Sequence, residues 1–240
     1  MQNSSSPSAD SLKRELTEFA NPALAKFQQR YFKTGKGEYG EGDAFLGLKV
    51  PQVRAIAKKY RTLKLAEIDG LARGKYHEER FAGLAILVLQ FKAAKPIAKQ
   101  GQKLRHLLFE KYLELLREGF VNNWDLVDST APYLGAHLLD LDDPVGYLKS
   151  LAKGNLWEQR TAVMLTWAFI REGNLEPTFA MSEHYLSNTH DLIHKATGWM
   201  LRECGKKEQR ALVDFLNQHK DQMPRVMFRY ATERLPKGLV

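Results

Sequence analysis

In the stretch "FVNNWDLVDSTAPYLGAHLLD", residues 120–140, a tryptophan and an aspartate stand four apart, at Trp124 and Asp128. Residues four apart on a helix are surface neighbours, so the indole and the carboxylate share one space. A fixed carboxylate stabilises positive charge that develops during a reaction, and an aromatic face attracts a cation directly. Read as one helix, the stretch puts Trp124, Asp128 and Gly135 on a narrow face that borders a core stripe of Val127, Ala131, Leu134 and Leu138. Asp125 falls on another face and reads as a solvent-side residue of the first turn. Asp128 also has a structural reading, as a buried partner of Arg160.

Rings and cations meet in two other helical patterns. Lys195, Trp199 and Arg202 share a face apart from the core stripe of Ile193, Ala196, Met200 and Cys204, and Arg160, Met164, Trp167 and Arg171 form a second set. Trp157 and Trp167 read more simply as core, whereas Trp199 lies opposite the core stripe of its helix. Rings among cations around one carboxylate suit a flat, cationic ligand carried on a sugar–phosphate backbone. The rings offer cation–π attraction and the arginines pair with phosphates. Two other patterns lack the context their chemistry needs. The G-x-G-x-x-G at Gly35, Gly37 and Gly40 requires a strand before it and a helix directly after it to cradle a phosphate. Neither pattern flanks it, and it reads as a glycine-rich connector. His190 and His194 are four apart, but no HExxH or cysteine pair accompanies them, so they read as capping or surface residues and no metal site is expected.

The elements that must position these residues are helices. Apolar residues recur at three and four in "LAKFQQRYF", "VRAIAKKY", "LRHLLFEKYLELL" and "RALVDFLNQ". Pro51 and Pro96 fall near helix starts, Gly119 and Gly173 at ends, and Asn155 and Asp191 as N-caps. No Val/Ile/Thr-rich alternating strand stands out, and about eleven or twelve helices are expected, interrupted by one longer loop, "KTGKGEYGEGDAFLGLKV". Similar segments begin at Arg80, Asp128, Arg160, Lys195 and Arg229, at spacings of 48, 32, 35 and 34 residues. Degenerate helix-pair units of about 30 to 50 residues mark an α-solenoid. The expected fold is therefore all-α, an α-solenoid of HEAT-like repeats curved around a basic concave groove. The repeated register position is basic in every unit but one, and four cations in a row suit a phosphate backbone, since each neutralised phosphate releases counterions. Asp128 is the exception and is a poor phosphate contact.

Composition agrees with a polyanionic partner. The 240 residues carry 36 Lys and Arg against 28 Asp and Glu, a net charge of +8, and the pI is about 9.4. Such a balance favours nucleic acid or an anionic membrane. The single cysteine, Cys204, excludes an internal disulfide and fits a reducing compartment. The start, "MQNSSSPSAD", has no basic or apolar region of a signal peptide and reads as a disordered tail over residues 1–10, followed by a single domain over 11–240. The longest apolar run, "FAGLAILVLQF", is far short of a membrane span and belongs in a core helix.

Taken together, "NNWDLVD", "NLWEQRTAV", "DLIHKATGWMLRE", "MPRVMFRYATERLP" and "YFKTGKGEYGEGDAFLGLKVPQVRAIAKKY" closely resemble the AlkD-type DNA alkylation repair family of HEAT-like repeats, in family order from about residue 15 to 236. The glycine-rich segment at 34–47 is longer than in some members. The resemblance implies a monofunctional DNA glycosylase that excises positively charged N3- and N7-alkylated purines from duplex DNA, with no base-flipping pocket. It implies no cofactor, a monomer and a cytoplasmic location at the nucleoid. Trp124 and Asp128 match the family's catalytic pair, Trp199 its second tryptophan and Arg160 its backbone arginine. Lys195, Arg202, Arg54, Arg80 and Arg229 are the further DNA contacts expected. Two other classes compete with this reading. A non-catalytic solenoid sensing distorted duplex needs the basic row but not Asp128, and a protein-binding HEAT scaffold needs neither.

Overall fold

Two residues at helix ends show how the chain punctuates itself. Gly119 and Gly173 adopt φ of 82° and 84°, a left-handed conformation that costs glycine little and stops the helices before them. The computed structural model describes residues 7–236 and 238–240; residues 1–6 of the expected tail lie outside the described residues. Described residues 7–10 are not all tail, because the first helix begins at Ala9 and the Ser8 side chain caps it, accepting from the Ser11 N–H at 3.2 Å.

By contacts the chain divides into two compact units, one ending at Thr130 and one starting at Ala131. The first holds α1 (Ala9–Glu18), α2 (Pro22–Tyr31), α3 (Val50–Lys59), α4 (Leu65–Ala72), α5 (His77–Ala93), α6 (Lys99–Arg117) and α7 (Trp124–Asp128). The second holds α8 (Ala131–Leu134), a 3-10 turn at Gly135–His137, α9 (Pro144–Leu151), α10 (Leu156–Leu165), α11 (Trp167–Glu172), α12 (Glu176–His184), α13 (Asp191–Lys207), α14 (Gln209–His219) and α15 (Arg225–Thr232). No strand forms among the described residues, and one isolated bridge joins Ala44 to Tyr76. The protein is an all-α fold of packed helix pairs. Its helices outnumber the expectation because continuous apolar periods conceal breaks, as at Thr166 between α10 and α11. No helix among the described residues is long and apolar enough to cross a membrane.

Each unit is organised on one long helix. In the first unit α5 is buried on nearly every side, with Phe81, Leu84, Ile86, Leu87 and Phe91 in the core, and α1, α3, α4, α6 and α7 pack on it. In the second, α13 buries Ile193, Ala196, Met200, Leu201 and Cys204 against α10, α11, α12, α14 and α15. Each such leucine or phenylalanine contributes about 1.5–3 kcal/mol by leaving water. Local chemistry sets the starts. Asn155 closes a capping box with Glu158 on α10, while Asn21 and Asp143 cap helices whose first residue is proline. Asp191 is the first residue of α13 and not its cap; His190 takes that place, accepting from the Leu192 N–H at 3.1 Å.

The stretch 120–140 is not one helix. It is α7, a turn at Ser129–Thr130, α8 and the 3-10 turn. Pro132 has no N–H to give the carbonyl of residue 128, and its ring clashes with a continuing helix there. Thr130 Oγ1 donates instead to the carbonyls of Leu126 at 2.6 Å and Val127 at 3.2 Å. Trp124 and Asp128 keep their one-turn relation within α7, which ends before Gly135.

Candidate active site

The site in the first unit is built from α7 outward. Asn123, fully buried, caps the helix by accepting from the Trp124 N–H at 2.9 Å, and its Nδ2 points at the Phe32 carbonyl at 3.5 Å. Gly40, the third glycine of the connector, passes over this cap. A Cβ there would lie 2.6 Å from the Phe32 carbonyl oxygen and 3.2 Å from Asn123 Nδ2. The other two glycines turn on carboxylates of their own loop, the Gly35 N–H donating to Glu38 at 2.9 Å and the Gly37 N–H to Glu41 at 2.8 Å. The motif is thus a connector folded on itself that seats α7.

Trp124 is half-buried. Its ring stacks on Phe32 at 5.4 Å between centroids and meets the edge of Tyr31 at 6.0 Å. Tyr31 stacks on Phe27 at 6.1 Å, and both are more than half exposed, extending the aromatic surface along α2. Asp128 is also half-buried, at the last position of α7, one turn below the indole. A carboxylate at a helix C-terminus gains nothing from the helix dipole, so its place is not explained by helix stability.

Beneath the pair lies a cluster the sequence reading did not detect. The first turn of α5 reads His77, Glu78, Glu79, Arg80, and all four are buried. His77 Nδ1 meets Asp43 at 2.9 Å and Nε2 meets Asp125 at 2.8 Å. Its ring is sandwiched by Phe45 at 4.6 Å and Phe32 at 5.1 Å. Burial pushes His77 down, but the charge of Asp125 and its hydrogen bond, with those of Asp43, prevail and raise it to about 9. Burial pushes Asp43 up, yet the His77 hydrogen bond and the Arg80 charge hold it below the usual carboxylate range. Glu78 accepts from the backbone N–H groups of Leu46, Gly47 and Leu48 at 2.8–3.0 Å, pinning the loop. The available signal was a run of four polar residues opening a helix that continues into the apolar run 81–89.

Two sequence expectations change here. Asp125 does not face solvent; it is 7% exposed and bonded to His77. Arg80 is not an open cation. It is 5% exposed, its guanidinium pairs with Asp43, and it donates to the carbonyls of Gly74 at 3.2 Å and Lys75 at 3.3 Å. Arg80 lies in the first turn of α5, where its guanidinium turns back onto the preceding loop, so its burial follows from that contact and not from its charge.

In the second unit Trp199 is half-buried on α13, its Nε1 donating to Glu203 at 3.0 Å and its ring edge-on to Trp167 at 5.5 Å. Lys195 pairs with Asp191 at 2.5 Å and Arg202 with Glu233, and both lie on α13 with Trp199. Arg160 is 4% exposed on α10 and donates to the Leu192 carbonyl at the start of α13; it too departs from an open row. Trp157 is core, as its pattern suggested. Arg229 on α15 is exposed, its guanidinium 5.7 Å from the Tyr230 ring, and Arg54 on α3 in the first unit is exposed at the same distance from Phe81. His194 Nε2 donates to the Asn188 carbonyl at 2.6 Å, and no group of three metal-ligating side chains forms among the described residues.

A family model described as DNA alkylation repair enzyme matches residues 12–235. The chain belongs to that family. A solved structure described as a predicted DNA alkylation repair enzyme from Enterococcus faecalis has the same fold, with a TM-score of 0.66 at 17% identity, over 91% of this chain and 98% of that one. No curated protein matches the chain. Membership of a DNA alkylation repair enzyme family makes DNA the setting in which the Trp124–Asp128 turn is to be understood.

Proposed function

We propose that the protein is a monofunctional DNA glycosylase that releases cationic N3- and N7-alkylpurines from duplex DNA by hydrolysis. The observation that carries this reading is the half-buried Asp128 carboxylate one turn from the Trp124 indole, in a chain of the DNA alkylation repair enzyme family. An N3- or N7-alkylpurine carries a positive charge that weakens its glycosidic bond. As the C1′–N bond breaks, its electron pair goes to the base, which leaves neutral, and positive charge builds on the deoxyribose. Asp128 stabilises that oxocarbenium ion and orients the water that adds to C1′, giving the free base and an abasic site. Trp124 and Trp199 present ring faces to the sugar–phosphate backbone and the lesion's charge. Lys195, Arg202, Arg54 and Arg229 hold phosphates, and Arg160, nearly buried, contributes charge more than reach. No amine nucleophile takes part, so no strand cleavage accompanies excision.

Incubation with methylated duplex DNA should release free 3-methyladenine and 7-methylguanine. Because no acid is applied to the purine ring, neutral lesions such as uracil, hypoxanthine and 8-oxoguanine should stay in place. Efficient uracil release would overturn the mechanism, and DNA binding with no alkylpurine release would favour a non-catalytic sensor of damaged duplex.

A further inference from the structure

Both ring nitrogens of His77 face carboxylates, Asp43 at 2.9 Å and Asp125 at 2.8 Å, and the ring is 3% exposed. An imidazole between two carboxylates satisfies both only when both nitrogens carry protons. The cluster is closed by Arg80 on the other oxygen of Asp43, so two cations and two anions balance in a site shut off from water. Asp125 is the residue after Trp124 and precedes Asp128 by three, on the same helix of five residues. The ring of His77 packs on Phe32, which in turn stacks on Trp124. His77 therefore reaches the α7 turn by two routes, one through a hydrogen bond to its backbone-bearing neighbour and one through an aromatic stack.

We propose that His77 is a positioning residue, an imidazolium clamp between Asp43 and Asp125 that sets the orientation of Trp124 and Asp128 for the chemical step. α7 is a single turn, too short to hold its own geometry, and the buried Asp125–His77 bond at 2.8 Å ties it to α5. The rate part of this inference rests on the glycosylase reading; the orientation part does not.

The test labels the full-length protein with 5-fluorotryptophan and assigns the Trp124 fluorine resonance by its loss in Trp124→Phe. In His77→Gln, an amide cannot donate to both carboxylates in the same geometry. The Trp124 resonance should shift or broaden while those of Trp157, Trp167 and Trp199 hold. Single-turnover excision of 7-methylguanine at saturating protein, corrected for active fraction, should fall by about ten- to a hundredfold, the scale expected when reacting groups are misplaced by a fraction of an ångström to an ångström. Duplex affinity should hold. A purely structural role would lower the active fraction and leave that corrected rate unchanged.

Should His77→Gln fail to fold, Tyr31→Phe protein with native His77 supplies the second arm, since it keeps the ring that meets Trp124 edge-on and lacks its hydroxyl. Raising the pH through the His77 titration, near 9 with Asp43, Asp125 and Arg80 as the charges around it, should move the Trp124 resonance in step with the His77 ring nitrogens. A Trp124 resonance indifferent to both the substitution and the titration overturns the proposal. If the unsubstituted protein releases no alkylpurine, the glycosylase reading fails on its own, and the fluorine signal still decides the clamp.

Discussion

Replacing Asp125 with asparagine removes one of the two carboxylates on a buried imidazolium. Breaking such a pair by taking one partner typically costs about 3–5 kcal/mol, because the other charge stays buried. Asp125→Asn should therefore lower stability by about 3 kcal/mol in urea unfolding, where a solvent-facing aspartate would give almost no change. Asp125 was illegible in the sequence because its partner His77 lies 48 residues away, and no helical period reports a contact at that range. Arg80 misled for the same reason: its charge was visible, but Asp43, 37 residues earlier, was not a foreseeable partner. Cys204 shows the opposite case. Its place on the α13 core stripe was plain from spacing, and burial pushes its thiol up to about 12. A thiol reagent at pH 8 should leave Cys204 unmodified in the native protein and label it fully in denaturant.

At the scale of elements, the helical periods were legible and the breaks between them were not. Stretch 120–140 has an unbroken apolar stripe, yet Pro132 and the Thr130 hydroxyl end α7 after five residues. The proline was in plain view; what the period hid was that it would end α7 and open a separate short helix, α8, and not prolong one stripe. The G-x-G-x-x-G segment reads as a connector from its flanking pattern, but its contact with the α7 cap depends on a close approach at Gly40 that spacing does not encode. Gly40→Ala should loosen the cap and destabilise the first unit by about 1–3 kcal/mol, the range for forced local overpacking, seen as a lower melting temperature. The α5–α7 tie also carries a pH signature. His77 is raised in the folded protein, so its contribution is complete below its unfolded value near 6.5 and is lost as pH rises toward 9. Unfolding free energy should decline by up to a few kcal/mol between about pH 6.5 and 9, and His77→Gln should flatten that decline.

At the scale of the whole molecule, the fold class followed from helical periods and from repeat spacing. The division at Thr130 did not, since it falls inside a stretch whose pattern shows no interruption. The excess of cations was equally clear in composition, but which cations remain open required the folded chain. Duplex affinity should fall steeply with salt, and Lys195→Ala or Arg54→Ala should each reduce the slope of log K against log salt by about one phosphate contact, while leaving sequence preference unchanged. The central claim is that the charge of Asp128 acts on the breaking glycosidic bond. It is tested most directly by single-turnover release of 7-methylguanine from duplex DNA by the unsubstituted protein and by Asp128→Asn, with thermal melting on both. Asparagine keeps the shape of the side chain and removes its charge. Excision should drop by about two orders of magnitude or more, with melting and duplex affinity nearly unchanged; a well-folded Asp128→Asn protein that excises at close to the original rate would contradict the account.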